Sequence, residues 1–419
     1  MILRGGMIFA ALVALLAGLA GEARAVSHQV NCPGGVLPVF STIQAAVNAA
    51  CSNDTISVVG TCNEAVVINL AGNTSMCATG DGLPFTKLTI TGGSNAINNY
   101  NPGPGPAFLI TGNAYNITMS NFIVGAAAGD GIQVLGAHRV TLQNIRTAPT
   151  TFLGIFATGD GIHIDTASTR ARVLSSTLNN NGGDGVENGS TDGEVTSVTA
   201  NDNELIGIHV PGSNAMVTRC KADETSAGNV QDEGYRFDGP GAIVQQNNAK
   251  DNIVAQFHDT AASTGVIHFR NIAGNSSAIA VPAGAGIGFW EEGWGNRINT
   301  CSVFRNATDG VKIDGSGNAL QLSTISSNKL QQVRITGDNN FIQTNTITRV
   351  GGTSAFASSD ISVNLAAGAT ANFLQSNRVS ITTPTLAGNG YTEVATGTNN
   401  GLQNTLAPSN PIDPPANLR

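Results

Sequence analysis

Residues 159–165 read GDGIHID, and the same opening returns as GDGIQV at 129–134, GDGVEN at 183–188 and DGVKID at 309–314. A catalytic motif is rarely repeated four times in one chain, so a structural unit must account for the pattern before the histidine does. Aligned glycine-led tetrapeptides are GIQV at 131, GIHI at 161, GVEN at 185, GIHV at 207, GYRF at 234, GIGF at 286 and GVKI at 310. Their glycines lie 30, 24, 22, 27, 52 and 24 residues apart. The gap of 52 is two turns of the same size, with GVIHF at 265–269 as the expected hidden member. Apolar residues one and three places after each glycine have the two-residue period of a short strand. Further strand-like runs lie between them, such as NITMSNFIV at 116–124 and ARVLSSTL at 171–178. No stretch between Ile56 and Val394 has the pattern of a ten-residue amphipathic helix, which excludes helical crossovers between parallel strands. Three short strands in every 22–27 residues instead wind into an all-β solenoid, a parallel β-helix. Its coils stack about 4.8 Å apart and bury their apolar edges only against their neighbours. An antiparallel sandwich gives no reason for a fixed coil length.

The N-terminus reads differently. Arg4 precedes an apolar run from Met7 to Ala20, and EARA ends in the small residues Ala23 and Ala25. This is the form of a signal peptide over residues 1–25, which implies a secreted, periplasmic or cell-surface protein. No later run is apolar enough to span a bilayer, so no transmembrane segment is expected in the mature chain. Without Arg4, Arg24 and Glu22, 18 basic residues face 27 acidic ones, a balance against nucleic acid or an anionic membrane as partner. Cys32, Cys51, Cys62 and Cys77 cluster and can form two disulfides, their pairing open. Cys220 and Cys301 fall three coils apart, about 14 Å, and should be free and buried. STIQAAVNAA at 41–50 puts Ser41 and Gln44 in capping-box spacing and predicts a helix over Ser41–Ala50, laid on the open end of the solenoid. The expected division is a cap and first strand over 26–60, the solenoid over 61–395 and a loose, proline-rich tail over 396–419.

The helix and the strand after it, STIQAAVNAA followed by DTISVV, resemble the start of the pectin-lyase-like superfamily, and the resemblance covers roughly residues 38–380. It implies a single-stranded right-handed parallel β-helix and a polysaccharide or oligosaccharide as ligand. That solenoid hosts lyases, hydrolases, epimerases and non-catalytic adhesins alike. The paired DD, GHG and RIK segments of polygalacturonase-like hydrolases are not assembled here, nor is the DPHD element of alginate epimerases. VKID at 311–314 and GDGIHID are only partial echoes of them.

In this register the residue two places after each glycine points outward. The column reads Gln133, His163, Glu187, His209, Arg236, then His268, Gly288, Lys312 and Arg334. The segment from His163 to Arg236 spans about 14 Å. Removing the C5 proton of a uronate needs a base, and its carboxylate needs a cation. His163 and His209 are the candidate bases, Glu187 the group that orients an imidazole, and Arg236 the uronate clamp. The next outward position adds Asp165, Asp238 and Asp314, with Lys312 a further cation. GFWEEGWGNR at 288–297 holds both tryptophans, and Trp290 and Trp294 with Glu291 form a candidate sugar-stacking loop. Asp130, Asp160, Asp184 and Asp309 precede the strand glycines, where an Asx turn is their ordinary role. Calcium at Asp160 and Asp184 is the alternative, although this chemistry requires no cofactor. Two functions follow: an exported lyase or epimerase for an acidic glycan, or a non-catalytic glycan-binding or structural cell-surface protein.

Overall fold

The computed structural model describes residues 25–32, 40–69, 87–93, 97–98, 105–112, 114–125, 129–147, 159–225, 231–274, 286–349, 362–381, 391–393, 400–402 and 404–406. Apart from Ala25, the expected leader lies outside them, as does Cys77. Every strand pair among these residues is parallel, and the strands form three long sheets. A first sheet of 16 strands begins at Ser27–Cys32, a second of 13 at Val66–Asn69 and a third of 8 at Lys221–Asp223. From Lys221 onward one coil crosses all three in turn, as Ile206–Val210, Met216–Thr218 and Lys221–Asp223 do. Strands persist to Asn400–Leu402 and Thr405–Leu406, inside the segment expected to be tail.

The core follows from alternation. In the second sheet Ile162 and Ile164 point in and are buried, while His163 between them points out. Farther along, the inward position widens into a stack of Tyr235, Phe257 and Phe289, with ring centroids 4.6 and 4.7 Å apart. The strand glycines serve close approach rather than unusual backbone angles. A Cβ on Gly161 would lie 2.7 Å from the carbonyl oxygen of Gly185 one coil on. Positive φ falls instead on corner residues such as Asn116, Arg139, Arg170 and Asn214.

Amides line the inside of the corners. Asn247 Oδ1 accepts from the Cys220 backbone N–H, Asn271 Oδ1 from Asn247, Asn345 Oδ1 from Ser323 and Asn377 Oδ1 from Asn345. Each satisfies turn backbone that the sheets leave unpaired, at about one hydrogen bond per coil. Cys220 and Cys301 occupy rungs of this same ladder, free and buried. Burial pushes both thiols up to about 12. Among the clustered cysteines, Cys32 is bonded to Cys62, and Cys51 is also disulfide-bonded.

The cap helix covers Ile43–Ala49, shorter than expected, and its N-cap is Thr42 rather than Ser41. Thr42 Oγ1 accepts from Ala45 N at 3.1 Å. The Glu64 carboxylate takes the N–H groups of Ile43 and Gln44, a better acceptor than the expected capping box supplies. Gln44 does different work. Its side chain accepts from Val67 N at 2.6 Å and donates to Val67 O at 3.1 Å, closing the edge of the second sheet's first strand. No helix among the described residues is long and apolar enough to cross a membrane.

Candidate functional site

Strand pairing in the second sheet fixes the outward column. Gln133 pairs with His163, His163 with Glu187, Glu187 with His209 and His209 with Arg236. Arg236 then pairs with His258, His258 with Trp290, Trp290 with Lys312 and Lys312 with Arg334. The four residues expected to carry the chemistry are therefore contiguous.

The second half of the column differs from the sequence expectation. Its coil between Arg236 and Trp290 is AQFHD, Ala255–Asp259, not GVIHF. Gln256 replaces the strand glycine there, which hid the coil from a glycine-led alignment, and its side chain joins the corner amides by accepting from Asn252. His268 lies in the first sheet, points inward and is fully buried. Gly288, not Gly286, is the strand glycine of the next coil, so Trp290 and not Gly288 occupies the column.

Two histidine clamps dominate the first half. His163 Nδ1 lies 3.0 Å from Glu187 Oε2 and 3.3 Å from Asp160 Oδ2. His209 Nδ1 lies 3.1 Å from Asp184 Oδ2, and its Nε2 lies 2.7 Å from Asp238 Oδ2. Asp160 and Asp184 are at once turn residues and orienting groups. Their Oδ1 atoms accept the backbone N–H groups of Asp184 and Ile206, and their Oδ2 atoms face the imidazoles. The bonds to Asp160 and Glu187 raise His163 to about 10, against a smaller opposing effect of burial. Burial depresses His209, but Asp184 and Asp238 together lift it to about 9. Both rings are imidazolium at neutral pH, so neither is the neutral base expected from sequence. Arg236 is tied through Nε to Asp238 at 3.1 Å, with 39% of its side chain exposed. Its terminal nitrogens make no hydrogen bond among the described residues, leaving the planar fork open to a carboxylate.

A third clamp was not anticipated. His258 Nδ1 lies 2.7 Å from Glu233 Oε1 and its Nε2 3.1 Å from Glu292 Oε2. Burial lowers this ring's affinity for protons, but the two glutamates outweigh it and raise the pKa. The imidazole stacks on Trp290 at 4.4 Å, and Lys312 Nζ sits over the Trp290 ring at 4.3 Å. Trp290 Nε1 donates to Asp314 at 2.9 Å, and Lys312 Nζ lies 2.6 Å from the same carboxylate. Phe257–His258–Asp259 lies 22 residues after Tyr235–Arg236–Phe237, the step that also separates Trp290, Lys312 and Arg334. The 22-residue step that recurs from Glu187 to His209 and from Trp290 to Arg334 was the signal that could have found it.

Three candidates leave the site. Glu291 is inward and buried, because the column runs through Trp290 and the next residue must point to the core. Asp165 bonds Gly136 N, Ser168 N and Ser168 Oγ, which makes it a corner brace. Trp294, 65% exposed, lies beyond the strand at a corner where its backbone bridges to Thr264, so the two tryptophans do not form one loop site. Asp238 and Lys312 remain in the site, as partners of His209 and of Trp290.

Calcium takes six to eight oxygen ligands. Asp160–His163–Glu187 and Asp184–Glu187–His209 each gather ligand atoms within 4.8 Å of one another, but each supplies only two carboxylates and an imidazole nitrogen, too few oxygens for that ion. These residues do not fit a calcium ion. Glu291 belongs to a third cluster, buried with Asp259 and His268. There His268 Nε2 lies 3.0 Å from Asp259 Oδ1, while its Nδ1 faces the Asn271 amide nitrogen at 3.4 Å. That amide is oriented by its bonds to Asn247 N and Val244 O, so the proton of the neutral ring is on Nε2 and its metal-binding lone pair is not turned to the carboxylates.

No family model matches the chain, and no curated protein sequence matches it. Among solved structures it is similar to tailspike protein 3 of bacteriophage CBA120, with TM-score 0.52 and 11% identity over 87% of this chain. It spans 59% of that protein's length. The receptor-binding protein of bacteriophage Det7, a podoviral tailspike in a myovirus, gives TM-score 0.52 and 11% identity over 88% of this chain and 75% of its own. Pectate lyase Pel9A gives TM-score 0.35 and 14% identity over 92% of this chain and 80% of its own. Parallel pairing throughout, three sheets and the two tailspikes together give the chain the fold of a right-handed parallel β-helix.

Proposed function

We propose that this is an exported polysaccharide-active protein that lays an acidic glycan along the outer face of the second sheet and acts on it as a lyase or an epimerase. The observation that carries the proposal is the pair of clamped imidazoles beside the open fork of Arg236. Arg236 binds a uronate carboxylate bidentately and so acidifies the C5 proton. His209 is the acid–base group next to it: Asp184 holds its Nδ1, and its Nε2 exchanges the Asp238 contact for the substrate while Asp238 stays on Arg236. Because its pKa is raised to about 9, it serves as proton donor at neutral pH and as base only as the pH rises toward that value. His163 and Glu187 bind and orient the neighbouring sugar unit. The sequence leader over residues 1–25 supports export.

The test is a screen of uronate polysaccharides, read by absorbance of unsaturated products for elimination and by NMR composition for epimerisation. Turnover that climbs between pH 7 and about pH 9 and is lost in His209→Gln supports the reading. Absence of turnover on every acidic glycan removes it.

A second reading, a non-catalytic glycan binder, is favoured by His209, whose two ring nitrogens are both taken by carboxylates. Both faces of the Trp290 indole are covered, so Trp290 braces the surface instead of stacking a sugar ring. Glycan binding without turnover, abolished by Arg236→Ala, selects this reading.

A further inference from the structure

The outer face of the first sheet carries a groove of about 550 Å³, lined by Lys87, Arg139, Arg170 and Arg172 with Asn116 and Thr141 between them. Four cations converge there in a chain with 20 Lys and Arg against 28 Asp and Glu, so the local charge opposes the net charge. Their order is set by the coils. Backbone bonds from Leu88 N to Asn116 O, Asn116 N to His138 O and Arg139 N to Thr169 O place Lys87, Asn116, Arg139 and Arg170 at successive corners. At about 4.8 Å per coil, Lys87 and Arg170 stand about 14 Å apart along the solenoid axis.

Arg139 and Arg170 both have φ 54°, the left-handed region that glycine and asparagine adopt most readily. The same corner is filled by Asn116, Asn214 and Gly241 in other coils. Arg219, Arg270 and Arg305 share that backbone angle at other corners, so what sets Arg139 and Arg170 apart is that both line the groove. Arg172 is bonded to Glu194 at 2.7 Å, and Arg170 is only loosely paired with Asp192 at 3.7 Å. Lys87 and Arg139 have no carboxylate partner among the described residues. Arg139 rests over the Tyr115 ring at 5.2 Å.

We propose that this groove is a second glycan site, which takes a polyanionic oligosaccharide along the solenoid axis with its carboxylate or sulfate groups against Lys87, Arg139 and the Arg170–Arg172 pair. Repeated anions on one extended chain match cations spaced by coils, as a single small anion does not. Single-stranded nucleic acid would need open aromatic faces for its bases, and among the described residues the ring beside the groove, Tyr115, is covered by Arg139. The proposal does not depend on the chemistry of the second sheet, which lies on another face.

The experiment measures binding of the full chain to a labelled oligouronate, a sulfated oligosaccharide of equal length, a neutral oligosaccharide and single-stranded DNA. Arg139→Asn and Arg170→Asn are combined, since asparagine already occupies this corner in Asn116 and Asn214 and keeps the turn. At least one anionic oligosaccharide should bind with an affinity that falls with added salt and drops tenfold or more in the double variant. The preferred ligand tells carboxylate from sulfate. All binding is measured in the Arg236→Ala background, which empties the site on the second sheet, so the binding that remains belongs to the groove. Equal binding by the folded double variant, equal or stronger binding of DNA or the neutral sugar, or no binding of either anionic oligosaccharide would overturn the proposal.

Discussion

Replacing Glu291 by glutamine should stabilise the protein, and by more at alkaline than at acid pH. Glu291 and Asp259 point inward from adjacent coils of the second sheet and meet His268 from the first, all three fully buried. Neither oxygen of Glu291 has a well-formed hydrogen bond, although Asp259 and Asn296 lie close enough to act on its proton. Burial, reinforced by the nearby Asp259, holds its pKa well above 4.5, so the folded chain keeps this carboxyl protonated where the unfolded chain would release the proton. A raised folded pKa gives stability that is full below the unfolded value and is lost as pH rises toward the folded one. Each pH unit between the unfolded and the folded value costs about 1.36 kcal/mol of stability. Glutamine keeps the shape, needs no proton and can still donate to Asp259. The gain should be close to zero near pH 4.5 and grow above it by up to about 1.36 kcal/mol for each pH unit. Asp259, raised to about 7, loses stability over the same acid range, while His268, lowered to about 4, gains it there. Both slopes persist in the variant except for what they owe to Glu291, a hydrogen bond that lowers Asp259 and a charge that raises His268. Denaturant midpoints of the two proteins at pH 4.5, 6 and 7.5 measure the difference. A difference that does not grow with pH, or a variant less stable at pH 7.5, would show that Glu291 is ionised in the folded chain and refute the reasoning.

NMR titration of the ring protons should place the midpoints of His163 and His209 above pH 8, near about 10 and 9, and midpoints below 7 would dissolve the clamps. Asp184→Asn removes one charge-assisted bond, worth about 1.5–3 kcal/mol, and should lower the His209 midpoint by about one to two units in the same titration. Trp290→Ala should lower thermal stability by about 1–3 kcal/mol, since it strips contacts from His258 and Lys312, whereas Trp294→Ala should leave the melting point unchanged. Cys220 and Cys301, with thiols pushed up to about 12, should not react with a thiol reagent at pH 8 until the chain is denatured; rapid labelling of the native protein would contradict their buried place.

What the sequence determined alone is the solenoid and the first half of its outer column. Period-two alternation and a recurring glycine are local properties, and they placed His163, Glu187, His209 and Arg236 in one line because each coil repeats the same short pattern. The pattern failed where a coil broke its own rule. Gln256 in the glycine position concealed His258, and two glycines in GIGF shifted the register by two residues, which moved Trp290 out of the column in the reading. GVIHF satisfied alternation but belongs to the first sheet, so His268 faces the core and not the solvent. Only the tertiary structure decided which carboxylates meet which rings. Asp184 reaches His209 across 25 residues, Asp238 across 29 and Glu292 reaches His258 across 34, separations set by corner lengths that no periodicity encodes. Those contacts in turn decided protonation, turning the expected neutral bases into imidazolium ions. They also gathered Lys87, Arg139, Arg170 and Arg172, scattered over 86 residues of sequence, into one groove, because stacking brings together whatever stands at the same corner of successive coils.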